Sequence, residues 1–82
     1  MSGESEPVLG ALPAGSTAVI CGVNAGRALG ARLAAMGLFP GVRVKVLRNA
    51  RPGPLVILVH GSRIMLGRGM ARQVRVRQTG AA

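Results

Sequence analysis

The 82-residue sequence has little of what a catalytic or metal site is built from. It contains one Cys, Cys21, one His, His60, and two acids, Glu4 and Glu6. Both acids lie within the first seven residues, so the rest of the chain offers no carboxylate for an acid–base pair. Zinc needs a cluster of Cys and His, and a hard cation needs several oxygen ligands. The sequence therefore predicts no catalytic residue, no metal site and no cofactor, and the protein is not expected to be an enzyme.

Signals for export and for membrane insertion are also missing. A lone Cys provides no disulfide framework, which is typical of a reducing compartment. Residues 1–7 lack the basic start and the apolar run of a signal peptide. The longest aliphatic run, residues 55–59, is far shorter than the roughly 20 residues that a membrane span needs. We therefore predict a soluble protein of the cytoplasm.

Positive charge is what the sequence has in excess. Eleven Lys and Arg give a formal net charge of +9, and no acid offsets them from residue 8 onward. A coding bias toward Arg would explain the many arginines but not the missing acids. A partner of opposite sign is the functional explanation: a nucleic-acid backbone, an anionic lipid surface or an acidic protein face. Phe39 is the only aromatic residue, which disfavours both base stacking and an aromatic-lined peptide groove.

The order of apolar and turn residues predicts one small β domain. Residues 1–7 form an acidic, disordered tail, residues 8–77 form the domain, and residues 78–82 fray at the C-terminus. Strands are predicted at residues 17–23, 42–48, 55–59 and 64–66 and around Val74 and Val76, with a bulge or bend at Gly22. Five short strands around one helix favour a mainly β fold, a small SH3-like barrel of about five strands with one inserted short helix.

The helix ends at a corner that is the clearest local signal in the chain. Leu29, Leu33 and Met36 recur at helical spacing and give the helix one apolar stripe. Gly37 follows that stripe and can adopt the left-handed conformation that closes a helix. Pro40 then prevents the helix from continuing. The corner therefore predicts a helix, a turn and a strand in succession.

The start of the helix and the surfaces around the corner are less specific. Asn24 can cap the helix, or the helix begins nearer Arg27. Phe39, in the turn, is either a core residue or an exposed apolar contact, and its cost of exposure favours the core. Basic residues alternate with Val in two strands and should point outward. The candidate partner-binding residues are Leu38, Phe39, Arg43, Lys45, Arg75 and Arg77.

Several stretches taken together make the chain resemble the FeoA family of bacterial ferrous iron uptake. The resemblance extends over residues 9–76. Its motifs are Leu9-x-x-Leu12-x-x-Gly15, then Arg32-Leu33-x-x-Met36-Gly37-Leu38-x-Pro40-Gly41, then Gly61-x-Arg63-Ile64-x-Leu66, and finally Met70-Ala71-x-x-Val74-x-Val76.

The resemblance implies an SH3-like barrel with an inserted helix, and a non-enzymatic role. It implies an accessory or regulatory protein that binds the cytoplasmic, G-protein-like part of the membrane permease FeoB. Such a protein is expected in the cytoplasm, with recruitment to the anionic inner face of the cytoplasmic membrane. The alternative is a basic SH3-like domain that binds nucleic acid, or a free-standing form of the FeoA-like domain found at the end of some metal-dependent repressors.

Overall fold

The computed structural model describes residues 7–24 and 26–79. Within those ranges the elements are a 3₁₀ turn at Leu9–Ala11, β1 (Thr17–Val23), α1 (Arg27–Ala35), β2 (Arg43–Arg48), β3 (Leu55–Val59), β4 (Ser62–Leu66), α2 (Arg68–Ala71) and β5 (Val74–Thr79). The strands form an antiparallel sheet in the order β4-β3-β2-β1-β5. The mainly β fold of five strands with an inserted short helix is confirmed. The four-residue α2 lies between β4 and β5.

Alternation along the strands gives the sheet an inner and an outer face. In β2, Val44 and Val46 are buried, whereas Arg43 and Lys45 are exposed. Pairing across strands places apolar residues opposite one another on the inner face, as in Val46 opposite Ile57. In β1, alternate residues are fully buried and the others are half-buried. The inner face joins residues from all five strands, both helices and the 3₁₀ turn in one aliphatic core.

The helix α1 begins later than a cap at Asn24 would place it. Its N-cap is Gly26, in extended conformation, with no side-chain hydrogen bond. The Asn24 backbone N–H instead donates to the carbonyl of Gln73, 2.6 Å away, so this residue is tied to the chain before β5. Leu33 is fully buried on the helix stripe. No helix in the described part of the chain is long and apolar enough to cross a membrane.

The corner after α1 has the predicted left-handed cap. Gly37 has φ of 87°, and its N–H donates to the carbonyl of Ala34 at 2.9 Å. The Leu38 N–H donates to the carbonyl of Leu33, also at 2.9 Å. These two bonds are the pair that defines a Schellman motif, and both leucines are buried in the core. The cap therefore satisfies helix carbonyls and anchors the corner to the core at once.

A tight turn then leads from the corner into β2. The Val42 N–H donates to the carbonyl of Phe39 at 3.1 Å, with Pro40 and Gly41 between them. Gly41 has φ of 95°, which suits the third residue of a type II turn. The Gly41 N–H donates to the carbonyl of Ile20 at 2.8 Å, so the turn is also held against β1.

The last strand extends beyond the predicted end of the domain. Gln78 and Thr79, which the sequence assigned to a fraying terminus, pair with Ala18 and Thr17 of β1. The hydroxyl of Thr17 donates to the carbonyl of Thr79 at 3.0 Å. The residues 1–6 of the predicted acidic tail and the residues 80–82 lie outside the described residues. Pro7 is described, and its carbonyl accepts a hydrogen bond from Val76 N–H at 2.9 Å.

Candidate partner-binding surface

Two of the predicted basic residues flank one apolar residue on the outer face of the sheet. Val19 of β1 lies opposite Arg43 of β2 and opposite Arg77 of β5. Since neighbouring strands are about 4.8 Å apart, the two Arg backbones are separated by about 10 Å on the same face. Both Arg side chains are exposed and Val19 is half-buried between them. The strand register thus places Arg43 and Arg77, which are distant in sequence, in one row on the outer face.

A second row runs parallel to the first. Lys45 of β2 lies opposite Thr17 of β1 and opposite Leu58 of β3, and Leu58 in turn lies opposite Arg63 of β4. Lys45 and Arg63 are exposed and Leu58 is half-buried. Arg63 was not among the predicted site residues. Alternation along the β3–β4 hairpin was the signal that could have placed it beside Lys45.

Arg75 lies on the outer face of the sheet, between the buried Val74 and Val76, but it is less exposed than the other basic candidates. Arg75 lies opposite Gly22, at the predicted bulge, where the β1–β5 register shifts between Ile20 and Gly22. A Cβ built on Gly22 would overlap the guanidinium of Arg75, so that group covers the glycine. Arg75 is consequently half-buried, and its side chain packs along the sheet instead of projecting into solvent.

The two apolar candidates at the corner separate into a core residue and a surface residue. Leu38 is 1% exposed and belongs to the core. The expectation that Phe39 fills the core is wrong, because Phe39 is 47% exposed. The aromatic ring therefore supplies apolar surface in the turn that leads into β2, four residues before Arg43.

The tip of the β3–β4 hairpin completes this end of the sheet. His60 and Gly61 connect the two strands and have φ of 52° and 80°, as expected for a two-residue hairpin turn with both central residues left-handed. His60 lies beside the corner, since a Cβ built on Gly37 would be 3.7 Å from its Cδ2 atom. A depression of about 330 Å³ is lined by Thr17, Arg43, Val44, Lys45, Leu58, His60 and Gly61.

We call this region the partner surface and define it by its exposed basic residues, its apolar residues and the hairpin tip: Val19, Phe39, Arg43, Lys45, Leu58, His60, Arg63 and Arg77. Its charge is entirely positive, because the described residues contain no Asp or Glu. In the same part of the chain there is no group of three or more His, Cys, Asp or Glu that could hold a metal ion. The geometry is suited to binding an acidic partner around an apolar contact.

Comparison with known proteins identifies relatives over nearly the whole described chain. The FeoA domain model matches residues 8–78. An Fe(2+) transport protein A of Methanocaldococcus jannaschii is 37% identical to this chain over 62 residues. These residues cover 76% of this chain and 74% of that protein.

Solved structures agree with the sequence comparison. The crystal structure of an iron uptake regulatory protein, FeoA, superimposes with a TM-score of 0.83 at 32% identity and covers 87% of this chain and 95% of that chain. The FeoA of Stenotrophomonas maltophilia was crystallised in complex with zinc and is described as a prokaryotic SH3 domain protein. It has a TM-score of 0.72 at 28% identity and covers 84% of this chain and 87% of that chain. This similarity confirms the predicted SH3-like fold class.

Proposed function

Because the chain belongs to the FeoA family, we propose that it is a non-enzymatic accessory protein of ferrous iron uptake that binds the cytoplasmic part of the FeoB permease. Membership of the family indicates a role in ferrous iron uptake, and the partner surface suggests that the protein acts by binding another protein. In this proposal the protein regulates the permease through contact and does not itself transport iron.

The exposed position of Phe39 is the observation on which the proposal depends. The aromatic side chain of Phe39 is 47% exposed, so a large and rigid apolar area is available for contact with a partner. Contacts between proteins concentrate their binding energy in a few such residues, surrounded by a polar rim. Arg43 and Lys45 are exposed on β2, the strand that follows Phe39, and in this proposal they form the polar rim. The arrangement therefore favours a protein partner with an apolar pocket and an acidic border.

The uncompensated positive charge supports a location near the membrane. A surface of one sign steers partners of opposite sign and raises the rate of association. Anionic lipids of the cytoplasmic leaflet attract basic clusters by the same mechanism. We propose that the protein is cytoplasmic and meets the permease at the inner face of the cytoplasmic membrane.

Binding to the purified cytoplasmic domain of FeoB from the same organism tests the proposal. We expect Phe39→Ser to weaken the affinity for FeoB by about tenfold or more, which is the loss typical of a residue that becomes buried at the centre of an interface. Neutralising Arg43 and Lys45 with Gln should mainly slow association and reduce its salt dependence. Arg27→Gln removes one charge from an exposed position at the start of α1 and serves as the control. Circular dichroism establishes that each variant is folded.

The nucleic-acid alternative predicts the reverse order of effects. Phosphate contacts would then dominate, so the Gln variants would cost the most affinity and binding would fall steeply with salt. Retention of full FeoB affinity by Phe39→Ser would show that the exposed ring is not the contact, and the proposed site would be wrong.

A further prediction concerns ferrous iron itself. From residue 7 onward, Cys21 and His60 are the only residues of the four types that commonly ligate iron, which are His, Cys, Asp and Glu. They lie on separate elements, β1 and the β3–β4 turn. We expect anaerobic calorimetry to detect no tight one-to-one binding of Fe²⁺ to the isolated protein. Micromolar or tighter stoichiometric binding would contradict a role that depends on the permease alone.

A further inference from the structure

A second basic cluster lies where α2 meets the loop between β2 and β3. Arg51, Arg68 and Arg72, together with Gly10 and Pro52, line a cavity of about 360 Å³. This volume lies within the range of roughly 300–1,000 Å³ found for small-molecule sites. The cavity shares no lining residue with the partner surface, so its role is independent of the proposed function.

The guanidinium of Arg68 is held in place but is left with unused donors. Its Nε donates to the carbonyl of Gly53 at 3.0 Å. Its two terminal nitrogens, Nη1 and Nη2, are buried, and within the described residues neither has a hydrogen-bond partner. A buried donor without a partner costs about 1–3 kcal/mol, and more when it is charged. In native proteins such a group commonly indicates an ordered water or a bound ion.

Tertiary packing brings the arginines of the cavity together. A Cβ on Gly10 would lie 3.2 Å from Cβ of Ala71, so α2 rests directly against the 3₁₀ turn. The Arg72 N–H donates to the carbonyl of Arg68 at 3.1 Å, which places these two residues one helical turn apart on the same side. Arg51 is added from the β2–β3 loop. No acid within the described residues offsets the three charges.

We propose that this cavity binds a tetrahedral oxyanion of the phosphate class. The planar guanidinium presents paired N–H donors that match two oxygens of a phosphate. Arg68 provides the buried donors, and the exposed Arg51 and Arg72 enclose the ligand from the mouth of the cavity. A dianion balances the three positive charges better than a single carboxylate. Free phosphate, a phosphorylated metabolite and a phospholipid headgroup share this chemistry.

Titration of the full chain with inorganic phosphate, at constant ionic strength in chloride buffer, tests the proposal. We expect saturable changes in the NMR signals of the Arg68 Nε–H and of the Gly53 amide. Arg51→Gln and Arg72→Gln alter exposed residues and should preserve the fold. Each should weaken phosphate binding about tenfold, the loss expected for a charged hydrogen bond. Arg32→Gln makes the same change in charge at an exposed position on α1, outside both the cavity and the partner surface, and should leave the affinity unchanged.

Two results would overturn the proposal. Absence of saturable shifts would assign the buried donors to water. An equal loss of affinity in Arg32→Gln would show an effect of net charge alone.

Vesicles distinguish the sources of the phosphate. We compare phosphatidylglycerol with phosphatidylcholine vesicles, using the wild-type chain and Arg72→Gln. Binding to phosphatidylglycerol that needs Arg72 and is displaced by inorganic phosphate supports a lipid headgroup as the ligand. Saturable binding of inorganic phosphate without that vesicle binding supports a soluble phosphate compound.

Discussion

The two faces of the sheet are built from the same strands but by different rules. Val44 is 1% exposed, and its neighbour Lys45 projects into solvent. The inner face contains only aliphatic side chains, which must fill a common core. The outer face combines basic residues with half-buried apolar ones such as Val19 and Leu58. Packing therefore determines the inner residues, whereas the outer residues are available for binding.

The outer charges also contribute to the register of the sheet. A slip of one residue in β2 would turn Arg43 and Lys45 toward the core and Val44 toward solvent. Burying two unpaired charges would cost more free energy than the hydrogen bonds of the shifted register could restore. The two faces thus have separable roles in stability and binding, and the predictions below test that separation in order of expected effect.

The largest effect should come from an inner-face residue compared with its neighbour on the outer face. Ile57 is 0% exposed and Leu58 is half-buried on the same strand, β3. Ile57→Ala should lower the free energy of unfolding by about 2–5 kcal/mol, which approaches the entire stability of a domain this small. Leu58→Ala should cost about 1 kcal/mol, since it removes a partly solvated side chain. Urea denaturation followed by circular dichroism measures both, and equal losses would remove the distinction between the faces.

A smaller loss of stability is expected at Gly37, where the backbone conformation and not side-chain packing requires a particular residue type. Gly37→Val should destabilise the domain by about 1–3 kcal/mol, because a β-branched residue tolerates a positive φ poorly. The site has room for a Cβ, with the nearest atoms 3.7 and 4.0 Å away, so the cost is conformational.

Gly30 provides the matched control for that change. It lies inside α1, and a Cβ there would meet nothing within 4 Å. Gly30→Ala should therefore stabilise the domain by roughly 0.5–1 kcal/mol, opposite in sign to Gly37→Val. Thermal unfolding of both variants measures the contrast. A Gly37 variant as stable as the parent would show that the left-handed cap is unimportant.

The smallest effect on stability should follow removal of charge from the outer face. The double variant Arg43→Gln/Lys45→Gln changes two exposed residues and should alter the free energy of unfolding by less than about 0.5 kcal/mol. Its binding to FeoB should nevertheless change, as described above. A large loss of stability would mean that the outer residues are structural, and the functional assignment of the basic rows would be weakened.

Local signals explain why most of the fold could be predicted from the sequence. Alternation in β2 and the glycine and proline of the corner specify conformation within a few residues, so the position of the turn and the left-handed Gly37 are confirmed. The resemblance to the FeoA family is confirmed as well. That resemblance depended on the same local motifs, which are specific to the family only when they occur together.

The features that the sequence did not predict are those that tertiary contacts decide. Phe39 lies in a turn, where no periodicity indicates whether a side chain faces the core or solvent. Arg75 lies on the predicted outer face, but alternation does not indicate that its guanidinium covers Gly22 and is half-buried there. The cavity around Arg68 joins residues from three separate segments. No local pattern in the sequence indicates that these segments meet.

The pairing of β1 with β5 has a consequence for how the chain folds. Thr17 and Thr79 are 62 positions apart, whereas the β3–β4 hairpin closes over the two residues His60 and Gly61. Long-range pairing must overcome a large loop entropy, so such sheets fold in milliseconds to seconds. During synthesis β1, which contains no charged residue, has one unpaired edge until β5 emerges from the ribosome. That interval, and not the native state, is when the chain is most exposed to misassociation through this strand.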